Sequence, residues 1–341
     1  MEPMVNLDST PRAPDGTVIQ MITQLVIIVP TKNRIDWCIK KLKFYARSGF
    51  KIPIIFLDAS AHSQEDAIRN CAKELNYNAV HYLHLPHKSI HLSIKDGLNY
   101  ALGTWIYFVI SGDDDFHLPK GLRKAIKFLD KNEDFAAVTG RALVTRMTFS
   151  SNRISILSNA FYWKPYSNTK DSAAERLSLI MNNYINLEFA VKRVETGLVI
   201  ANFVNEFTGS LTFQESGFAE YCTSTSVPLV GKVYNFSTLF MVRGDHSDRP
   251  FSRDRTYRRP QFNLDLASGF ENFSKYVMNF CEAHEIVNLD SFKSVLQKYE
   301  QRSNIKNIKK YGPLYTRIRR RVLSNIITIS YHRVFNTISQ V

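Results

Sequence analysis

The sequence predicts an α/β protein with a Rossmann-like, mostly parallel central sheet flanked by helices and with a helical C-terminal extension. Between residues 25 and 110, short β-branched apolar runs alternate four times with segments of helical periodicity. These runs are continuously apolar, which is typical of strands buried on both faces of a parallel sheet. The chain has 341 residues, of which 44% are hydrophobic, so it can bury a large core.

The N-terminal part carries the clearest alternation. Leu25–Val29 forms a continuous apolar run that ends at Pro30, and a second run begins at Pro53 and ends at Asp58. The predicted strands cover 25–29, 53–57, 80–85 and 105–110, and the predicted helices cover 34–48, 63–75 and 89–102. Because ligands of such sheets bind beyond the carboxyl ends of the strands, we expect the polar residues there to converge on one edge.

The second half is harder to assign. The spacing of apolar residues predicts strands over 136–145 and 232–242. It predicts helices over 118–129, 172–194, 218–228, 267–300 and 315–338. Residues 198–217 have a mixed pattern, and residues 246–263 are predicted to form a loop. The predicted organisation is a flexible leader (1–24), the α/β domain (25–250) and a mostly helical, basic extension (251–341).

The formal net charge of +13 is concentrated at the C-terminus. Residues 293–341 contain eleven Lys and Arg against the single acid Glu300, which gives +10 and leaves about +3 for the rest. Residues 315–338 combine an apolar stripe with an arginine-rich start, which suits either an anionic membrane surface or a helix packed on the domain. Without a recognition motif or interleaved aromatic residues, no nucleic acid partner is expected.

The compartment is predicted from three features. Four widely spaced cysteines suit a reducing environment, no apolar run approaches 18 residues, and the N-terminus lacks the order of a signal peptide. These features predict a cytoplasmic protein, with peripheral association at the inner face of the membrane as an open alternative.

Ser111–Asp115 is the strongest chemical signal. Three adjacent carboxylates repel each other unless a cation or protons neutralise them, and here they follow a buried strand. Carboxylate oxygens are the ligands that Mg²⁺ and Mn²⁺ prefer, often together with substrate phosphates. The simpler alternative is an acidic turn that stabilises the start of the helix near Leu118.

Three segments together resemble family 2 glycosyltransferases of the GT-A fold. Val26–Arg34 is similar to the first strand and turn of that family, Asp58 matches its base-reading carboxylate, and Ser111–Pro119 is similar to its metal-binding aspartate motif, here in a DDDF form. The resemblance covers about 25–145 well and 195–245 more loosely. It implies an enzyme that moves a sugar from a nucleotide-sugar, most often a UDP-sugar, to a glycan, polysaccharide or lipid-linked acceptor.

The resemblance also implies roles for individual residues. Asp115 would be the principal ligand of Mn²⁺ or Mg²⁺, with Asp113 assisting and His246 added from a later loop. The nucleotide would be bound by Thr31, Asn33, Arg34, Asp58, Lys95, Asp113 and Asp114.

Sugar transfer also needs a base that deprotonates the acceptor hydroxyl. In inverting members of the family this base is an acid downstream of the metal motif, which leaves Glu220 as the favoured candidate and Glu215 as the second. Two other interpretations remain open: a nucleotidyltransferase or metal-dependent phosphohydrolase, and a non-catalytic membrane-binding scaffold of the same fold.

Overall fold

The computed structural model describes residues 20–21, 23–150, 153–161, 166–208, 216–245, 267–286 and 288–306. Its helices are α1 (Ile35–Arg47), α2 (Glu65–Glu74), α3 (Ile90–Ala101), α4 (Pro119–Leu129), α5 (Ala173–Asn182), α6 (Val194–Thr208), α7 (Ser216–Val230), α8 (Ala267–Ala283) and α9 (Leu289–Lys306). Its strands are β1 (Gln20–Met21), β2 (Leu25–Thr31), β3 (Phe50–Lys51), β4 (Ile54–Asp58), β5 (Val80–His84), β6 (Tyr107–Ile110), β7 (Asp115–His117), β8 (Phe135–Ser150), β9 (Arg153–Phe161), β10 (Val191–Arg193) and β11 (Lys232–Asp245).

The main sheet has the strand order β5-β4-β2-β6-β10-β8-β11-β7, with β9 beside β8. Strands β5, β4, β2 and β6 are parallel, whereas β10 runs antiparallel between β6 and β8, and β7 runs antiparallel to β11. The α/β class with a largely parallel sheet is therefore confirmed, with antiparallel strands in its second half.

Both faces of β2 are buried, as its continuous apolar sequence predicts. Leu25, Ile27 and Val29 pack into the larger hydrophobic core, while Val26 and Ile28 pack into a smaller core on the opposite face. This alternation follows from the two-residue period of a strand covered by helices on both sides.

The prediction of one helix over 172–194 is wrong in its second half. Helix α5 ends at Asn182, and the chain then forms a turn over 186–190 before β10 enters the sheet. The buried ammonium of Lys192 donates hydrogen bonds to the carbonyls of Leu187, Glu188 and Ala190, which holds this turn in a non-helical form. The mixed region after it contains α6.

The two ends of the described chain join the fold. Gln20 and Met21, within the predicted leader, pair in parallel with Phe50 and Lys51. Helices α8 and α9, within the predicted extension, contribute buried side chains such as Phe280 to the same core as the sheet. None of the described helices is long and apolar enough to cross a membrane. The loop over 246–263 and the basic segment 315–338 lie outside the described residues.

Candidate active site at the carboxyl edge of the sheet

The carboxyl ends of four parallel strands meet at one edge, as expected. The register places Thr31 of β2 beside Asp58 of β4, and Asp58 beside His84 of β5. Ile28 pairs with Ile110 at the end of β6, so the segment that follows β6 emerges next to Thr31. This segment, Ser111–Asp115, is called the acidic turn below.

The acidic turn is held to the end of β2 by its first carboxylates. The guanidinium of Arg34 lies 2.8 Å from Asp113 and 3.2 Å from Asp114, and the Thr31 hydroxyl donates to Asp113 at 3.0 Å. Burial and the neighbouring Asp114 raise the pKa of Asp113 to about 7, while Arg34 acts in the opposite direction. Both oxygens of Asp113 are therefore directed towards β2 and α1.

Asp115 belongs to a different contact set. It starts β7 and pairs in register with Arg243 of β11, and the Arg243 Nε lies 3.4 Å from its Oδ1. The Arg243 guanidinium also lies over the Phe189 ring, 4.5 Å from the ring centroid. The cross-strand pair thus connects the acidic turn to the turn over 186–190.

Asp114 and Asp115 are the carboxylates best placed to share a cation. A Cβ atom built on Gly112 would lie 3.1 Å from Asp114 Oδ1 and 3.0 Å from Asp115 Oδ2, so both oxygens lie over this glycine. Within the described part of the chain, no three His, Cys, Asp or Glu side chains form a metal site by themselves. Two carboxylates still fit Mg²⁺, which commonly takes one or two from the protein and the rest from phosphate and water.

A buried lysine supports the acidic turn from inside. Lys41 of α1 is fully buried, and its ammonium donates to the Ser111 hydroxyl at 2.8 Å and to the backbone carbonyl of Asp115. Burial lowers the pKa of Lys41 to about 8, while the neighbouring aspartates raise it. Lys41 therefore places a positive charge beneath three carboxylates and fixes the turn that carries them.

Asp58 is held at the carboxyl edge of the sheet by several hydrogen bonds. Its carboxylate accepts hydrogen bonds from the backbone N–H and hydroxyl of Ser60 and from Tyr82 OH at 2.5 Å. The Ser60 hydroxyl also accepts the backbone N–H of Asn33 at 2.7 Å, where Asn33 has a φ of 56°. Lys95, half-buried on α3, forms no hydrogen bond or ion pair with the residues that the structure describes.

Glu220 lies on α7 and joins this assembly through the turn over 186–190. Its Oε1 accepts the side-chain amide of Asn186 at 2.8 Å and the Tyr184 hydroxyl at 3.3 Å. Desolvation and the nearby Glu188 raise the pKa of Glu220 to about 7, and Arg243 lowers it. A carboxylate with such a pKa can accept a proton near neutral pH.

The match to a protein-family model identifies this arrangement. Residues 26–183 match the model described as "Glycosyl transferase family 2", which spans β2 to the end of α5 and includes the acidic turn. Residues 26–183 belong to glycosyl transferase family 2. The predicted class of enzyme, a glycosyltransferase with a nucleotide-sugar donor, is thereby confirmed at the level of the family.

Three solved structures resemble this chain at low sequence identity and with TM-scores below 0.5. Staphylococcus aureus TarS 1-349 in complex with UDP-GlcNAc is 14% identical, with 82% of this chain and 81% of that chain covered and a TM-score of 0.45. A second structure of TarS 1-349 is 15% identical, with 82% and 91% covered and a TM-score of 0.43. A 4-diphosphocytidyl-2C-methyl-D-erythritol synthase from Anaerococcus prevotii is 13% identical, with 63% and 86% covered and a TM-score of 0.37. No curated protein matches the chain.

Several residues around the acidic turn and the turn over 186–190 were not identified from sequence. Lys41 lies on the apolar face of α1 between Cys38 and Tyr45. A lysine at such a core-facing position indicates a buried charge with specific partners, and this could have been noticed in the sequence. Glu188 and Lys192 lie in a segment predicted as helix, so their position beside the acidic turn could not be found. The predicted residues His246 and Glu215 lie outside the described residues.

Proposed function

We propose that the protein transfers a sugar from a UDP-sugar to a hydroxyl group of a glycan, polysaccharide or lipid-linked acceptor, with inversion at the anomeric carbon. The observation that carries the proposal is that the turn over 186–190 contacts both Glu220, through Asn186, and the Arg243 that pairs with Asp115 of the acidic turn. The pKa of Glu220 is raised to about 7, which suits a base at neutral pH. The family 2 match fixes the reaction class, and the residues at the sheet edge support the finer assignment.

The nucleotide end of the donor is assigned to the ends of β2 and β4. Asn33 and Arg34 follow β2, and Arg34 is 22% exposed, so its guanidinium can contact a phosphate or ribose while paired with Asp113. Asp58 is fully buried and can read a base edge only through lone pairs that Ser60 and Tyr82 leave unused. Lys95 offers an ammonium group to the diphosphate.

A divalent cation is assigned to Asp114 and Asp115, with Asp113 in support. When bound, Mn²⁺ or Mg²⁺ would offset the charge that develops on the departing diphosphate. Arg243 and Lys41 already place positive charge around Asp115, which keeps the carboxylates together before any cation arrives. His246 stays a predicted ligand.

Glu220 is assigned as the base. The acceptor oxygen forms a bond to the anomeric carbon while the bond between that carbon and the diphosphate oxygen breaks. UDP leaves with the bonding electrons, and Glu220 takes the hydroxyl proton. Asn186 and Tyr184 hold Oε1, which leaves Oε2 for the acceptor.

The acceptor and the location of the enzyme are proposed from the sequence alone. The basic segment 315–338 suits an anionic membrane surface, where lipid-linked acceptors are found. A cytoplasmic enzyme that docks on the inner face of the membrane is the arrangement that follows. Release from anionic liposomes by neutral variants of Arg319, Arg320 and Arg321 would support it, and unchanged binding would contradict it.

Thermal unfolding with UDP, GDP and CMP, each with and without Mn²⁺, tests the donor assignment. A ligand that binds only the folded protein raises its melting temperature. We expect UDP to give the largest rise and Mn²⁺ to enlarge it. A larger response to another nucleotide would contradict the UDP assignment, and no response to any of them would favour a non-catalytic scaffold.

A further inference from the structure

Glu188 is a buried carboxylate that the proposed reaction does not use. The side chain of this residue is in the turn over 186–190, and the whole residue is 7% exposed. Its backbone is fully engaged: the N–H donates to Asn186 Oδ1 at 2.9 Å, and the carbonyl accepts from Lys192 at 2.8 Å. Its carboxylate forms no hydrogen bond or ion pair with any residue that the structure describes. A carboxylate in such an environment is costly unless water or a bound group hydrogen-bonds to it.

The surroundings of Glu188 are fixed. Lys192 is buried and bonded to three backbone carbonyls, which holds the backbone of the turn in place. Glu188 also borders a narrow cavity of about 20 Å³ between α3, α6 and the sheet, with room for about one water. The backbone of Glu188 therefore keeps a fixed position. This cavity is too small for a sugar, so a sugar can approach Glu188 only from the side of Asp115 and Glu220.

Glu188 lies between the proposed metal ligand Asp115 and the proposed base Glu220. Its neighbour Phe189 lies beneath the Arg243 guanidinium that contacts Asp115. On the other side, Asn186 bonds both the backbone N–H of Glu188 and the carboxylate of Glu220. In a single displacement, the transferred sugar lies between the departing diphosphate and the base. Glu188 therefore lies beside the region that the sugar must occupy, given the proposed function on which this step rests.

We propose that Glu188 binds the donor sugar by accepting hydrogen bonds from its hydroxyl groups, and so determines which sugar is transferred. Sugar hydroxyl groups are donors that a carboxylate can pair with, and a vicinal pair can reach both oxygens. Burial raises the pKa of Glu188, and the charges of Lys192 and Arg243 act in the opposite direction.

Calorimetric titration separates this role from a purely electrostatic one. The ligands are UDP, UDP-glucose and UDP-N-acetylglucosamine with Mn²⁺, and the proteins are wild type, Glu188→Gln and the control Glu195→Gln, which alters an exposed glutamate on α6. We expect Glu188→Gln to weaken the better-bound UDP-sugar by about 10-fold or more, because a hydrogen bond to a charged group is lost. Its affinity for UDP should stay within about 2-fold or rise.

The alternative outcomes are distinct. If Glu188 acted only through its charge, its removal would strengthen the binding of UDP and UDP-sugar alike, because both are anions. That result, or equal affinities in Glu188→Gln and wild type, would overturn the inference and leave the proposed function intact. A wild-type protein that binds none of the three ligands would overturn both. Circular dichroism of each variant confirms that the fold is retained, and Glu188→Asp, which keeps the charge, should recover part of the affinity.

Discussion

The side-chain amide of Asn186 joins the carboxylate of Glu220 to the backbone of Glu188. Its nitrogen donates to Glu220 at 2.8 Å, and its oxygen accepts the backbone N–H of Glu188 at 2.9 Å. One residue thus sets the spacing between the proposed base on α7 and the proposed sugar-binding turn. This spacing depends on a residue that lies between α5 and β10, where no regular element constrains the chain.

Asn186→Ala should lower kcat by about 10-fold, equivalent to ~1.4 kcal/mol, because Glu220 loses the stronger of its two donors. UDP affinity should be unchanged, since no nucleotide-binding residue is altered. Steady-state kinetics and UDP titration measure both quantities. Asn182→Ala, on the exposed end of α5, is the matched control. Equal kcat in the two variants would contradict the role of Asn186.

The pH dependence of kcat should follow Glu220. A base must be deprotonated to act, and burial together with Glu188 raises the pKa of Glu220 to about 7. We therefore expect kcat to rise about 10-fold per pH unit below this value and to level off above it. A profile already level between pH 5 and pH 6 would argue against Glu220 as the base.

The same pKa shift predicts a pH-dependent effect on stability. The folded protein holds the Glu220 proton more tightly than the unfolded chain does, because the pKa rises from 4.5 to about 7. The free energy of unfolding therefore falls as pH rises through this window. Glu220→Gln should melt a few degrees higher than wild type at pH 8, and the difference should shrink towards pH 5. A difference independent of pH would contradict this assignment.

Lys41→Met should destabilise the protein by about 2–4 kcal/mol and weaken UDP binding with Mn²⁺. The substitution leaves the Ser111 hydroxyl and the Asp115 carbonyl without their buried donor and removes the charge beneath the acidic turn. Lys43→Met on the same helix, at a half-buried position, is the control. Chemical denaturation and calorimetry measure the two effects. If both variants behaved alike, Lys41 would not support the turn.

Local sequence patterns predicted the parallel half of the fold well. Strands β2 and β4, the helix α1 between them and the acidic turn all follow from continuous apolar runs, helical periodicity and the residues that end them. The register then brings Thr31, Asp58 and the acidic turn to one edge, because parallel strands end on the same side.

The second half of the site could not be predicted in the same way. The turn that carries Glu188 lies near Asp115 because β10 inserts antiparallel between β6 and β8, a long-range pairing with no local signature. The turn before β10 is stabilised by Lys192, which satisfies backbone carbonyls that a helix would have paired internally. The spacing of apolar residues over 172–194 favours a helix, because a local pattern carries no information about these buried contacts of Lys192.

Release of UDP from UDP-sugars tests the central claim most directly. The protein is incubated with Mn²⁺ and, in turn, UDP-glucose, UDP-galactose and UDP-N-acetylglucosamine, and UDP is measured for wild type, Asp115→Asn and the exposed control Asp36→Asn. We predict Mn²⁺-dependent release of UDP from at least one donor, about 100-fold slower in Asp115→Asn and unchanged in Asp36→Asn. No release from any donor, or equal rates in wild type and Asp115→Asn, would contradict the account.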